Sequence, residues 1–399
     1  MISVSQALSI IKSSIKPIKR EYINVLEAKG RTLVSSIKSN TFSPPFNMSA
    51  MDGYAIKHKI NGKSNKFKVV DEIFAGENKN NKILSGQAIR VFTGSRVPIG
   101  TNCVVMQENV SKIDKNHILI NYNKLNEDYI RKKGQDFKKG SIVLKKNHQI
   151  NARDIGLLIS SGIKKVLVYK KPNIAVIATG NELVAIDKKI KGNQIFASSI
   201  YMIRELISLT NSNCLKLKII RDDKKSIKET ILSLTNIDLI LTTGGVSVGK
   251  KDLVKESLAS LGMITKFWKV QVRPGKPILF GLLKNIPVFG LPGNPVSSYV
   301  CFIIFVMVAI NKLSPNTDKL IKKNKALALN KIINNSNRET YYRGLFFVKN
   351  KSTFVKIFKN QDSSLMKTLS LSNCLVKLSG KKSIEINKYV EILELSNGI

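Results

Sequence analysis

The segments NIAVIATG (173–180), IDLILTTGG (237–245) and IPVFGLPG (286–293) are short, unbroken apolar runs, each closed by glycine. Strands buried on both faces read this way, whereas half-exposed strands alternate. Segments with helical spacing separate or follow them: SSIYMIRELISL, SIKETILSL, DLVKESLASLG and the run over 299–310. That alternation implies a parallel α/β sheet in which the three runs lie side by side around a common cleft.

The flanking regions have other periodicities. The first twenty residues carry apolar positions at helical spacing, interrupted by Ser, Gln and Lys, and read as an amphipathic helix rather than a signal peptide. Short alternating runs separated by turn residues fill 67–122, NARDIGLLISSG returns to helical spacing, and strand-like runs resume after about residue 319. The expected fold is α/β plus β and multi-domain. A helical or mixed linker domain is expected over 1–41 and 136–171, and a β-rich domain over 42–135. An α/β domain follows over 172–317, and a C-terminal β domain over 318–399.

Composition narrows the function classes. Cys103, Cys214, Cys301 and Cys374 are far apart with no C-x-x-C, and His58, His117 and His148 are equally scattered. That pattern argues against a zinc site or a disulfide framework and suits a reducing cytoplasm. The longest apolar run, Tyr299 to Ile310, is short of the ~20 residues a bilayer span requires, so a buried helix and no membrane partner are expected. The formal net charge is +39, from 66 Lys and Arg against 27 acidic residues. The excess is diffuse, mostly lysine, and accompanied by abundant Ile and Asn, as A- and T-rich codons would produce. A nucleic-acid site concentrates Arg with interleaved aromatics, so no specific nucleic-acid partner is expected.

The loops at the strand ends carry the chemistry. ATGNEL provides Thr179, Gly180 and Glu182. TTGGVSVGKKD provides Thr242, Gly244, Gly245, Ser247, Gly249 and Asp252. GLPGNPVSS provides Gly293, Asn294 and Ser297 at the start of a helix. Glycines admit an anion close to backbone amides, a helix N-terminus adds a favourable dipole, and hydroxyls add donors, which together suit a phosphate or a pterin. Carboxylates clustered beside such a site (Glu182, Asp252, and Asp222 or Asp223) make sense if Mg²⁺ bridges them to phosphate. Lys269, Arg273 and Lys276 supply charge against a polyanionic ligand. Gly244 to Lys250 spell G-x-x-x-x-G-K, but Lys251 stands where a P-loop requires Ser or Thr on Mg²⁺, and the VSV interior is too β-branched for a phosphate nest.

TTGGVSVGKKD, PGKP and LPGNPVSS, in that order, resemble the molybdenum cofactor biosynthesis proteins of the MoeA type, which include the gephyrin E domain. SAMDGYAI (49–56), TGSRVPIGTNCVVMQE (93–108), IRKKGQDFKKG (130–140) and QDSSLMKTLSLSN (361–373) extend the resemblance over essentially the whole chain. It implies a molybdopterin molybdenumtransferase, with molybdate and adenylylated molybdopterin as substrates, Mg²⁺ as cofactor and AMP as product. It also implies a homodimer whose cleft combines the α/β domain of one subunit with the β domain of the other, and contacts with other cofactor-biosynthesis proteins. Carried over by motif, Asp52, Thr93, Arg131 and Asp136 line the cleft from the first β region. Glu182, Asp222 or Asp223, Asp252, Lys269, Arg273 and Lys276 line it from the α/β domain, beside Ser199 and the Pro292–Gly293–Asn294 loop, with Ser363 from the C-terminal domain. The chain departs from the family pattern at Asn47, Met48, Gln135, Asn181, Ala197, Ser199 and Arg273. The rival readings are the molybdopterin adenylyltransferase, which shares the α/β fold, a non-catalytic scaffold of the gephyrin type, and nucleic-acid binding by charge alone.

Lys251→Thr restores the P-loop spelling but leaves the β-branched interior, so it should confer no ATP hydrolysis. Phosphate release from ATP above background in that variant would show that the loop has been misread.

Overall fold

Ser3 opens the first helix, α1 (Val4–Ser14), with a capping box: its hydroxyl accepts from the Gln6 amide at 3.2 Å, and its own amide donates to Gln6 Oε1 at 2.9 Å. The computed structural model describes residues 1–57, 65–120, 129–245, 253–315 and 321–395. Ser247, Gly249 and Asp252 therefore lie outside the described residues.

A lobe of six strands follows: β1 (Gly53–Ile56), β2 (Lys66–Ile73), β3 (Gln87–Val91), β4 (Cys103–Met106), β5 (Val110–Lys112) and β6 (His117–Ile120), in the order β4-β1-β3-β2-β6-β5. It has its own cores on the two sides of the sheet, one around Tyr54, Phe67 and Val105, the other around Ile73, Ile89 and Val104. The chain then returns through helix α2 (Ala152–Ser160), capped by Asn151, whose Oδ1 accepts from the Arg153 and Asp154 amides. Leu158 on α2 packs with Leu33, Val166 and Val168 in a separate linking core.

The α/β unit is built from β7 (Asn173–Thr179), α3 (Ser198–Ser208), β8 (Asn213–Ile220), α4 (Lys224–Leu232), β9 (Leu239–Thr243), α5 (Leu253–Ser260), β10 (Ile264–Trp268), β11 (Leu279–Leu283) and β12 (Ile286–Leu291). The sheet order is β8-β7-β9-β12-β11-β10, so the three glycine-terminated strands β7, β9 and β12 are adjacent and parallel, as their apolar runs imply. Beyond β12 the sheet becomes mixed. Lys284 (φ 48°) and Asn285 (φ 69°) form a two-residue turn with both residues left-handed, the geometry that closes a hairpin, and β11 therefore runs antiparallel to β12.

After β12 comes helix α6 (Pro295–Leu313), with Asn294 as its N-cap residue, Pro at its first position and a π-helical stretch at Phe302–Val306. Its length and composition are those of a membrane span, yet it is mostly buried: Phe302, Phe305 and Val306 are fully covered by α1, the sheet and the C-terminal strands. That last unit contains β13 (Ile321–Ala328), β14 (Glu339–Lys349), β15 (Ser352–Ile357), β16 (Cys374–Leu378) and β17 (Tyr389–Leu395), with a short helix α7 (Met366–Ser370). The two-residue strand Val272–Arg273, which leads into the PGKP loop, pairs with β14 and ties this unit to the α/β domain.

Candidate functional site

Residues that the sequence singles out fall in two groups. The first is at one end of the six-stranded lobe. Residues 47–52, 92–97 and 129–136 are laced together: Ser49 N donates to Ser95 O, Gly94 N to Ser49 O, Val97 N to Asn47 O, and Ala50 N to Tyr129 O. Ile130 and Arg131 pair with Ser49 and Met48, and the Lys133 amide donates to Asn47 Oδ1 at 3.0 Å. Asn47 thus has a local structural task. Within this group Asp52 Oδ1 accepts from both the Thr93 amide and the Thr93 hydroxyl, each at 2.7 Å. Those bonds, the amide's first, hold the Asp52 carboxyl below the ordinary carboxylate range although it is exposed. Arg131 and Asp136 are also exposed, and the Asp136 amide donates to Ser43 O.

The second group lines the carboxyl edge of the α/β sheet. Gly244 (φ 85°) and Gly245 (φ 63°) are left-handed in succession, and side chains there would collide with Thr179: a Cβ on Gly244 would lie 2.4 Å from Thr179 O, and one on Gly245 2.9 Å from Thr179 Oγ1. A Cβ on Gly293 would sit 3.6 Å from Gly244 Cα, so the loops after β7, β9 and β12 meet backbone to backbone. Ser199, buried at the start of α3, donates to Gly293 O at 3.2 Å and fastens the third loop. Asn294 does not cap α6 with its side chain. Its Nδ2 donates instead to Ser363 Oγ at 3.0 Å, while the Val296 amide donates to Ser363 O, so the C-terminal unit reaches the LPGNP loop of its own chain. Ser297 is buried beneath this junction.

The carboxylates separate. Glu182 is exposed and folds back over Gly180, where a Cβ would meet its two carboxylate oxygens at 2.8 and 2.9 Å. The Asp222 amide donates to Asn181 Oδ1, joining the loop after β8 to the loop that carries Glu182. Asp223 is instead the N-cap of α4: its carboxylate accepts from the Ser226 amide at 2.8 Å and the Ser226 hydroxyl at 2.7 Å, which lowers its pKa. Of the two candidates Asp223 is committed to its helix, and the backbone of Asp222 is joined to the loop that carries Glu182. Among the described residues no three His, Cys, Asp or Glu side chains form a ready metal cluster. The available donors are nonetheless all hard oxygens, and Thr179 Oγ1 is buried without a hydrogen-bond partner among the described residues, so the chemistry of this edge fits Mg²⁺.

The cations come from the loop between β10 and β11. Lys269 (φ 66°) donates its amide to Ile278 O and the Val270 amide donates to Lys276 O, which closes the loop that carries Arg273 and Lys276. One residue with a clear structural claim is passed over by the sequence reading. Arg343 is 1 % exposed, donates through Nε to Gln361 Oε1 and through Nη1 to Asp362 O, and so sets the segment that delivers Ser363 to Asn294. A lone arginine inside the strand run YYRGLFFV is its only sequence signal.

Taken together, a glycine-looped α/β sheet flanked by two β units defines a multi-domain α/β-plus-β class of protein whose strand-end loops meet at one sheet edge. Residues 2–162 match the MoeA N-terminal region (domains I and II), 175–312 a probable molybdopterin-binding domain, and 325–395 the MoeA C-terminal region (domain IV). The chain is 32% identical over 386 residues to a molybdopterin molybdenumtransferase of Haemophilus influenzae, covering 96% of this chain and 95% of that one. It is likewise 32% identical over 389 residues to a protein of the same name from a Nostoc species, covering 94% and 88%. The crystal structure of a molybdopterin biosynthesis MoeA protein from Pyrococcus horikosii superposes with a TM-score of 0.85 at 26% identity and covers the whole of both chains. The chain belongs to the MoeA family of molybdopterin molybdenumtransferases.

The Asp52–Thr93 geometry has a pH consequence. A carboxyl whose folded pKa is depressed adds stability above its unfolded value, near 3.8, and that stability is lost as pH falls through the lowered value. Thr93→Val removes the hydroxyl donor and keeps the amide, so the Asp52 pKa should rise part of the way to the ordinary value. Carboxyl carbon shifts followed by NMR from pH 6 to pH 2 measure this, and an unchanged titration would show that the hydroxyl contributes nothing.

Proposed function

We propose that this chain is a cytoplasmic transferase that inserts molybdenum into adenylylated molybdopterin and releases AMP. The observation that carries the reading is the convergence of the loops after β7, β9 and β12 at one sheet edge, next to Lys269, Arg273 and Lys276. The glycine loops bring backbone amides close to a phosphate or pterin oxygen. The three basic side chains offset the charge of a pterin nucleotide and of molybdate, and the thiolates that receive the metal belong to the pterin.

Cleaving a phosphoanhydride is a task of charge neutralisation and positioning, which requires no Cys or His nucleophile. Glu182 and Asp222, with Asp252 from the segment outside the described residues, would hold Mg²⁺, with the Thr179 hydroxyl beside them. When bound, the ion neutralises charge developing on the bridging phosphate oxygens. The residues of this chain orient the diphosphate against the glycine loops and present molybdate to the dithiolene. Incubating the chain with adenylylated molybdopterin, Mg²⁺ and molybdate should release AMP in step with cofactor formation. An adenylyltransferase would instead consume ATP and free molybdopterin, and a scaffold would do neither. Asp252→Ala and Glu182→Gln should each slow AMP release on the order of a hundredfold, about 3 kcal/mol of transition-state stabilisation, while pterin binding persists. Near-normal rates in both variants would remove the metal role from this edge.

The same reading includes a homodimer. Among the described residues no hydrogen bond and no core cluster joins the lobe bearing Asp52, Thr93, Arg131 and Asp136 to the α/β edge of the same chain. A cleft that uses both groups is supplied most simply by two copies related by a twofold axis. Mixed dimers of Asp52→Ala with Glu182→Gln should then recover activity, since one of the two clefts in each mixed dimer is intact. Random exchange gives about a quarter of the wild-type rate for a twofold dimer, whereas a cleft confined to one chain gives none.

A further inference from the structure

Strand β14 belongs to the C-terminal unit, yet it is tied to two loops of the α/β unit. At its start Glu339 and Thr340 pair in parallel with Val272 and Arg273, which lead into the PGKP loop. Three residues on, about 10 Å along the strand, Arg343 turns an almost fully buried side chain toward the segment that carries Ser363. The same residue stands at a changeover, since β14 pairs with β16 from Thr340 to Gly344 and with β15 from Gly344 onward. The clasp there is reciprocal. Gln361 Oε1 accepts from the Arg343 amide at 2.9 Å and from its Nε at 3.1 Å, and Gln361 Nε2 donates back to Arg343 O at 3.0 Å. Arg343 Nη1 donates to Asp362 O at 2.9 Å.

With residues 361 and 362 fixed, the next residue is Ser363. Its Oγ accepts from Asn294 Nδ2 at 3.0 Å and its carbonyl from the Val296 amide at 3.3 Å. Asn is among the best helix caps, but Asn294 gives its side chain to Ser363 and not to α6, so the LPGNP loop is held from outside its own helix. The described acceptors of the Arg343 side chain are both neutral, an amide and a carbonyl. Burying a guanidinium against them costs desolvation, and an apolar residue would serve a strand core at least as well. What the planar fork adds is position, because it reaches two neighbouring residues at once. The geometry points to Arg343 as a positioning residue for molybdenum transfer. Together with the pairing at Thr340 it makes β14 a gauge that sets the PGKP and LPGNP loops at a fixed separation. The inference rests on the reading of this edge as the substrate site.

Arg343→Lys keeps the charge but cannot reach Gln361 and Asp362 together. Amide hydrogen exchange on the full-length protein should then quicken in two separate stretches, 361–365 and 293–298, while β7, β9 and β12 stay unchanged. Gln361→Ala, which opens the same clasp from its half-buried side, takes its place in every measurement if Arg343→Lys fails to fold. AMP release from adenylylated molybdopterin with molybdate should fall at least about tenfold in kcat/KM in Arg343→Lys. Asn294→Ala should add nothing further in that background, because both changes break one relay, whereas a general loss of stability would multiply with the second change. Faster exchange confined to 361–365, or rate losses that multiply, overturns the proposal. Coupled exchange in a protein that releases no AMP even as wild type would leave the relay standing and refute the proposed activity. AMP release that Arg343→Lys does not alter would keep the activity and overturn the positioning role.

Discussion

Burial of α6 is the constraint on which the rest of this structure depends. One face of the helix meets α1 and another meets β7, β9 and β12, while Leu375, Leu393 and Leu395 of the C-terminal sheet close over the same cluster. Full burial of a large apolar side chain contributes ~1.5–3 kcal/mol, and α6 presents several in succession, including Phe302 and Phe305. Its N-terminal turn is also the LPGNP loop of the candidate site. The hydrophobic effect that assembles three units therefore also fixes the height of the site loops. At Gly275 this has little tolerance: with φ 113°, a Cβ there would lie 2.3 Å from Cys301 Sγ on α6, so the loop bearing Arg273 and Lys276 rests directly on the helix.

The parts of this arrangement legible in sequence are those set by local pattern. Ala175, Val176 and Ile177 are buried whichever face they point to, so their run is continuous, and adjacency of β7, β9 and β12 follows from the strand–helix alternation. The hairpin that reverses β11 is encoded in Lys284–Asn285, but a Lys–Asn pair is a weaker turn signal than Asn–Gly, and spacing alone does not give the reversal. Asp223 shows the limit of spacing arguments. Asp222 and Asp223 are equivalent in sequence, and only the amide and hydroxyl of Ser226 assign one to a helix cap.

Residues whose task is defined by distant partners were not legible. Arg343 answers to Gln361 and Asp362 across a hairpin, and nothing near it in sequence marks it as more than a charge in a strand. The departures near the site have a similar explanation where the structure supplies one. Asn47 holds the Lys133 amide, Asn181 holds the Asp222 amide, and Ser199 holds the Gly293 carbonyl. Each performs a loop-joining task with the side chain present here.

The charge of the chain bears on the site through this architecture rather than through composition. A net charge of +39 raises the local concentration of any anion, but a diffuse field does not select among anions and is screened over ~10 Å at ordinary ionic strength. Selection requires donors at fixed positions. The described structure has groups at fixed positions in two places: one where the Thr93 amide and hydroxyl hold Asp52, and one where backbone hydrogen bonds of Lys269 and Val270 close the loop that carries Arg273 and Lys276. An ionised carboxylate beside an anionic ligand costs binding unless a cation or a hydrogen-bond donor meets it. The two groups stand on lobes that share no core cluster among the described residues, so each is held rigid by its own packing and not by the other's.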